Sequence, residues 1–122
     1  MNEINPHEAV DFIFKHAQTF AIAKAKRVYL EEFRKSKKAI LMQHSQESAV
    51  NAQERDAYSH PEYLQLLEGL RSAVEIEERL RWELISAQAR IDVWRTQQAN
   101  MRQEHRATKE ILRMLADRDT RQ

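Results

Sequence analysis

The sequence contains no cysteine, one glycine and two prolines among its 122 residues. Without cysteine, the chain has no disulfide framework, no thiolate zinc site and no cysteine nucleophile. The single glycine, Gly69, cannot build a glycine-rich phosphate-binding loop, which needs several residues without a Cβ where the backbone approaches the ligand. These absences exclude most enzyme classes.

A charge excess and long apolar runs are absent as well. The chain has 20 Lys and Arg against 19 Asp and Glu, so only local clustering can indicate a nucleic-acid partner. No run of about 18 apolar residues and no signal-peptide pattern occurs. Because 42% of the residues are hydrophobic and 32% charged, we expect one folded domain, located in the cytoplasm and not in a membrane.

Catalytic and metal-binding patterns are missing too. None of the five histidines follows a glutamate by three residues, the spacing used by di-iron carboxylate bundles. No serine occupies a G-x-S-x-G turn. The two long helices that are predicted below would also lack the deep, dry pocket that shifts the pKa of a catalytic side chain. We therefore expect no enzymatic activity, no metal and no cofactor.

Two helix starts are marked by proline. Pro6 and Pro61 suit the first turn of a helix, where the missing N–H costs nothing and the fixed φ is already helical. Asn5 is the predicted N-cap of the first helix. Ser59 is the predicted N-cap of the second, with Glu62 three residues later as its reciprocal partner.

These starts predict an all-α protein with two long helices. We expect the helices to cover residues 6–55 and 61–116, with a turn at 56–60 and a frayed C-terminus. The short polar linker favours a single domain in which the helices fold back as a long antiparallel hairpin of coiled-coil type.

The second helix carries a heptad repeat, in which successive positions are alternately four and three residues apart. A strict repeat of 3.5 residues predicts a left-handed coiled coil. The apolar positions are Leu66, Leu70, Ala73, Leu80, Leu84, Ala87, Ile91, Trp94, Met101, Leu112 and Leu115, and the polar ones are Glu77, Gln98, His105 and Thr108.

The first helix has a less regular apolar stripe, formed by Val10, Phe14, Ala17, Ala21, Ala25, Tyr29, Phe33 and Ile40. With a turn near Tyr58, residues 9–23 would lie opposite the mostly polar residues 95–109. Such an uncovered apolar patch predicts self-association, most simply a dimer that forms a four-helix bundle. The predicted interface residues are Phe12, Ile13, Phe14, Phe20, Ile22, Leu84, Ile91 and Trp94.

Basic residues cluster in residues 24–38, here called the basic segment: Lys24, Lys26, Arg27, Arg34, Lys35, Lys37 and Lys38. Such side chains displace counterions from phosphates, and the interleaved Tyr29 and Phe33 suit stacking on unpaired bases. The segment is interpreted as a site for single-stranded DNA or for an acidic protein. Alternatively, it is a solvated face with both rings in the core. The lysines at 35, 37 and 38 are expected to be exposed and to contribute little to stability.

Two stretches resemble a group of small uncharacterised phage and prophage proteins whose genes lie near those of single-strand annealing or single-strand-binding proteins. The similar stretches are YLEEFRKSKKAILM at 29–42 and QERDAYSHPEYLQLLEGLRSAVEIEERLRWELISAQARIDVWRTQQANMR at 53–102. The resemblance implies a phage origin, a bacterial host cell and a role near DNA metabolism. It supplies no active-site residues.

Together these features favour a non-enzymatic accessory protein in phage DNA recombination or replication. It would bind nucleic acid or hold a phage recombination enzyme. One alternative is a protein–protein inhibitor of a host nuclease or defence complex. Another is a structural coiled-coil assembly protein.

Overall fold

A computed structural model describes residues 3–121, and every regular element in that range is an α-helix. Helix α1 spans Pro6–Gln43, α2 spans Val50–Ser59 and α3 spans Pro61–Thr120. The predicted all-α class is therefore confirmed for this range. None of the three helices combines the length and the apolar composition that crossing a bilayer requires.

Helix α1 begins at the predicted N-cap. The Asn5 Oδ1 atom accepts hydrogen bonds from the backbone N–H groups of His7 at 3.0 Å and Glu8 at 3.4 Å. Both groups belong to the first turn, where a helix has no carbonyl partner for its donors. A short polar side chain before Pro6 was enough to locate this helix end.

Helix α3 begins at Pro61, as predicted, but its N-terminal cap differs from the prediction. Ser59 is the last residue of α2, and its hydroxyl donates to the Arg55 carbonyl at 2.9 Å. The side chain that accepts the first-turn donor is His60, whose Nδ1 lies 3.1 Å from the Glu62 nitrogen. His60 itself is extended, since a residue before proline disfavours helical backbone angles.

The prediction of one helix over residues 6–55 is wrong. Helix α1 ends at Gln43, and α2 occupies most of the segment predicted as the linker and turn. Between them, the Ser45 hydroxyl accepts from the Glu47 nitrogen at 3.2 Å and donates to Asp56 at 2.6 Å. Such local side-chain hydrogen bonds compete with helical ones and interrupt the helix without Gly or Pro.

The described chain forms two compact units. One is Phe14–Leu84, and the other, here called the terminal unit, combines the residues before Phe14 with those after Leu84. The Phe14–Leu84 unit has a small core in which Leu41 of α1, Ala57 of α2 and Tyr63 of α3 pack together. Ala57 is completely buried, and its small side chain lets α2 lie close to its neighbours.

The heptad predicted for α3 agrees with burial over much of the helix. In the Phe14–Leu84 unit, every heptad position is buried or half-buried: Leu66, Leu70, Ala73, Glu77, Leu80 and Leu84. In the terminal unit the same holds for Ala87, Ile91, Trp94 and Gln98. The heptad positions from Met101 onward are exposed.

Helix α1 packs with a different stripe from the predicted one. In the Phe14–Leu84 unit its less exposed positions, here called the inner stripe, repeat at four and three residues: His16, Phe20, Ala23, Arg27, Leu30, Arg34, Lys37 and Leu41. Most of the predicted stripe lies in solvent. Its exposed members within residues 14–29 are here called the outer stripe: Phe14, Ala17, Ala21, Ala25 and Tyr29. Ile40, further along α1, is exposed as well.

The buried and half-buried heptad positions of α3, here called the seam, can be tested by shortening one side chain inside the seam and one outside it. Leu80 is buried and Leu64 is half exposed on the same helix. Leu80→Ala should lower the free energy of unfolding by about 2–4 kcal/mol, because it removes buried surface and leaves a cavity. Leu64→Ala should change it by less than about 1 kcal/mol. Urea unfolding followed by circular dichroism measures both, and equal effects would show that Leu80 is not in the packed seam.

Candidate nucleic-acid interface

Arg27 of the basic segment makes an ion pair with Glu77 of α3. Its Nε and Nη2 atoms donate to the two Glu77 carboxylate oxygens at 2.5 and 3.0 Å, and Nη1 donates to Glu31 at 3.0 Å. Glu77 is buried, with 7% of its surface exposed. The planar guanidinium matches both carboxylate oxygens at once, which is the strongest arrangement for such a pair. Arg27 therefore joins two helices.

Lys37 and Lys38 of α1 also bind carboxylates on other helices. The Lys37 ammonium lies 3.1 Å from Glu62 of α3. The Lys38 ammonium lies 2.6 Å from Glu54 of α2 and 4.6 Å from the centre of the Tyr58 ring. The later residue on α1, Lys37, pairs with the earlier residue on α3, Glu62, whereas Arg27 pairs with Glu77. The two helices therefore run antiparallel within this unit.

These ion pairs shift the pKa values of the groups that form them. The hydrogen bond from Arg27 lowers the pKa of Glu77 below its usual range, and the bond from Lys37 does the same for Glu62. The hydrogen bonds to Glu54 and Tyr58 raise the pKa of Lys38. The carboxylates are therefore held in their charged form, as partners of fixed cations.

The expectation that Lys37 and Lys38 are exposed is wrong. Their side chains are 22% and 28% exposed, whereas that of Lys35 is 69% exposed. Lys35 pairs with Glu32, one turn away on α1, at 3.3 Å. The basic segment thus contains cations that link helices and cations that face solvent, and a sequence pattern does not distinguish them.

The cations on the surface are distributed unequally. Lys24 and Lys26 are exposed and Arg34 is half-buried. Of the two interleaved rings, Tyr29 is exposed and stacks on Phe33, with ring centres 5.9 Å apart and planes 8° apart. Phe33 is half-buried, so only Tyr29 has the accessible face that base stacking requires.

An open groove brings part of the basic segment together with two tyrosines. Its volume is about 460 Å³, and it is lined by Arg34, Lys35 and Lys38 of α1, Tyr58 of α2 and Tyr63 of α3. The Tyr58 and Tyr63 rings meet edge to face, with centres 5.4 Å apart. Tyr58 is 45% exposed, whereas Tyr63 is buried. The sequence analysis predicts neither tyrosine as a site residue, since it places Tyr58 in the turn at 56–60 and Tyr63 within the second helix.

The predicted interface residues differ in exposure. Phe14 is 81% exposed and Ile22 is 63% exposed, which makes both accessible to a partner. The other predicted residues are half-buried: Phe12, Ile13, Phe20, Leu84, Ile91 and Trp94. Of the interface predicted from the sequence, the structure thus leaves two residues largely in solvent.

No group of three or more His, Asp or Glu side chains suited to holding a metal ion occurs within residues 3–121. Comparisons with protein-family models, with curated proteins and with solved structures find no match to this chain.

The pair between Arg27 and Glu77 predicts how stability depends on pH. A carboxyl whose pKa is lowered in the folded state stabilises the protein above its unfolded pKa, and this stabilisation disappears as pH falls through the folded pKa. Glu77→Gln should therefore melt at a lower temperature than the parent at neutral pH. The difference should shrink below about pH 4.5 and then vanish.

Glu68→Gln is the matched control, because Glu68 makes an exposed, longer ion pair with Arg71 at 3.6 Å. It should change the melting temperature little at any pH. If Glu77→Gln behaved like Glu68→Gln at neutral pH, the ion pair would not hold the two helices together.

Proposed function

We propose that the protein is a non-enzymatic helical adaptor of phage DNA recombination or replication, which binds single-stranded nucleic acid at the groove of Arg34, Lys35, Lys38, Tyr58 and Tyr63. One observation carries this proposal: three cations and a partly exposed tyrosine ring line the same groove. The resemblance to phage proteins agrees with it. The bacterial cytoplasm would be its site of action.

The groove has the two features that recognition of a single strand requires. Cations along a groove replace the counterions of successive phosphates, which makes binding strong at low salt. An exposed aromatic face stacks on an unpaired base of any identity, so sequence preference should be slight. Lys38 covers part of the Tyr58 ring while bound to Glu54, which leaves Arg34 and Lys35 as the cations for phosphate.

Self-association is the second part of the proposal. The outer stripe of α1 combines an almost fully exposed phenylalanine, Phe14, with three alanines and Tyr29. Alanine lets another helix approach closely, and a contiguous apolar face of this kind usually marks an interface. We infer that a second copy covers the outer stripe, so that two antiparallel hairpins form a four-helix bundle.

Nucleic-acid binding can be tested by reversing charges in the groove. Arg34→Glu combined with Lys35→Glu should weaken binding to a fluorescent single-stranded oligonucleotide by at least about tenfold. The variant should also lower the slope of log affinity against log salt by about 0.7 for each lost phosphate contact. Lys38 is kept, because it also holds α2 through Glu54.

The control is Arg71→Glu combined with Arg79→Glu, which makes the same charge change on exposed residues that do not line the groove. It should bind nearly as the parent does. Equal weakening by both variants would indicate a general charge effect instead of a groove. Absence of binding by the parent at low salt would end the nucleic-acid proposal and favour an acidic protein partner.

The outer stripe can be tested by light scattering at micromolar concentration. The parent should have at least twice the 14.5 kDa mass of the chain. Phe14→Glu should shift the protein towards the monomer, because association would bury an unpaired charge. Val50→Glu is the control on another exposed apolar residue and should leave the mass unchanged. A monomeric parent would contradict the proposal.

A further inference from the structure

The C-terminal part of α3 presents an apolar surface to solvent. Every described residue from Met101 onward is exposed. Its large apolar side chains are each more than half exposed: Met101, Ile111, Leu112, Met114 and Leu115. Residues 101–118 are here called the C-terminal segment. Exposed apolar side chains concentrated in this way are typical of an interaction surface.

The heptad of α3 continues into this segment without interruption. In the terminal unit, Ala87, Ile91, Trp94 and Gln98 are buried or half-buried at heptad positions. The following positions keep the same alternation of four and three residues: Met101, His105, Thr108, Leu112 and Leu115. The segment therefore has the repeat of a coiled coil on a helix face that lies in solvent.

We infer that the C-terminal segments of two copies of this chain pack as a parallel two-stranded coiled coil. The inference rests on the proposed self-association, since about two heptads form only a weak dimer by themselves. It places a contact between copies on a surface different from the outer stripe of α1.

Charge complementarity supports a second copy as the occupant. Glu104 directly precedes the heptad core position His105, and Lys109 directly follows the next core position, Thr108. In a parallel coiled coil, side chains five residues apart at these two flanking positions meet across the interface. Glu104 of each copy would therefore lie beside Lys109 of the other, twice by symmetry. The next flanking pair, Ile111 and Ala116, is apolar on both sides.

The order of residues favours parallel over antiparallel packing. In parallel packing each core residue meets its own counterpart, so Leu112 and Leu115 form apolar layers and His105 forms a polar one. A fully overlapped antiparallel pair would place His105 against Leu115 and Thr108 against Leu112. It would also bring Lys109 beside its own counterpart, a like-charge contact at a flanking position. A polar core residue paired with itself also fixes the register of a parallel dimer.

A single introduced cysteine tests the geometry in the full chain, because the sequence has no cysteine of its own. Leu115→Cys should form a covalent dimer under mild oxidation, since core positions of a parallel pair bring identical residues together. Arg113→Cys is the control two residues away, outside the seam, and should cross-link far less.

Charge exchange tests the orientation independently. In the Leu115→Cys background, Glu104→Lys and Lys109→Glu should each lower the cross-linked fraction by about fivefold at low salt. The two changes together should restore the cross-linked fraction, because each flanking pair again joins a lysine and a glutamate with their positions exchanged. Antiparallel packing predicts no such rescue.

Each outcome separates the two proposals. Weak cross-linking at position 115, in a protein whose mass by light scattering is still at least twice that of the chain, would overturn this inference and leave self-association intact. A monomer by light scattering would overturn both. Equal cross-linking at positions 113 and 115 would mean random collision and would also overturn the inference.

Discussion

The packing of α1 on α3 within the Phe14–Leu84 unit depends on the ion pair between Arg27 and Glu77. Both residues occupy positions of the seam where apolar side chains are usual, and Glu77 is buried. A slip of one heptad would move Arg27 from Glu77 to Leu70 or Leu84. Either slip would break the bidentate pair, and the slip that moves Arg27 to Leu70 would place the buried Glu77 opposite Phe20, without a cation from α1, which is strongly unfavourable. The pair therefore favours the observed register over that slip.

The same interaction explains why α1 exposes its apolar stripe. The inner stripe contains Arg27, Arg34 and Lys37, and two of these bind carboxylates of α3. Since this face must point towards α3, the alanine-rich outer stripe lies on nearly the opposite side of the helix. Intramolecular packing and the proposed association with a second copy would thus use different faces of one helix.

Part of this architecture could be read from the sequence. The cap at Asn5 and the heptad of α3 are local patterns, and each reports directly on the residues that form it. The packing face of α1 cannot be read from a local pattern, because two stripes on nearly opposite sides of the helix both fit a helical period. The choice between them depends on Glu77, which lies 50 positions from Arg27 in the chain.

The groove was missed for a related reason. The sequence predicts Lys35 and Lys38 as site residues, but it places Tyr58 in the turn and Tyr63 within the second helix, with no signal that the two rings share a groove with them. The helix between Val50 and Ser59 has few apolar residues, and its position depends on Ala57 fitting between Leu41 and Tyr63. A contact of this kind depends on shape, which neither periodicity nor charge clustering describes.

The position of α2 also affects the order in which contacts form as the chain folds. Lys38 and Glu54 are 16 residues apart, whereas Arg27 and Glu77 are 50 apart. The entropy lost in closing a loop grows with its length. The contact between Lys38 and Glu54 therefore costs less chain entropy than the contact between Arg27 and Glu77. During synthesis, the residues of this small core also leave the ribosome before Glu77 does. The short helix between two long ones is therefore placed where nucleation is easiest, and pairing of α1 with α3 can extend from it.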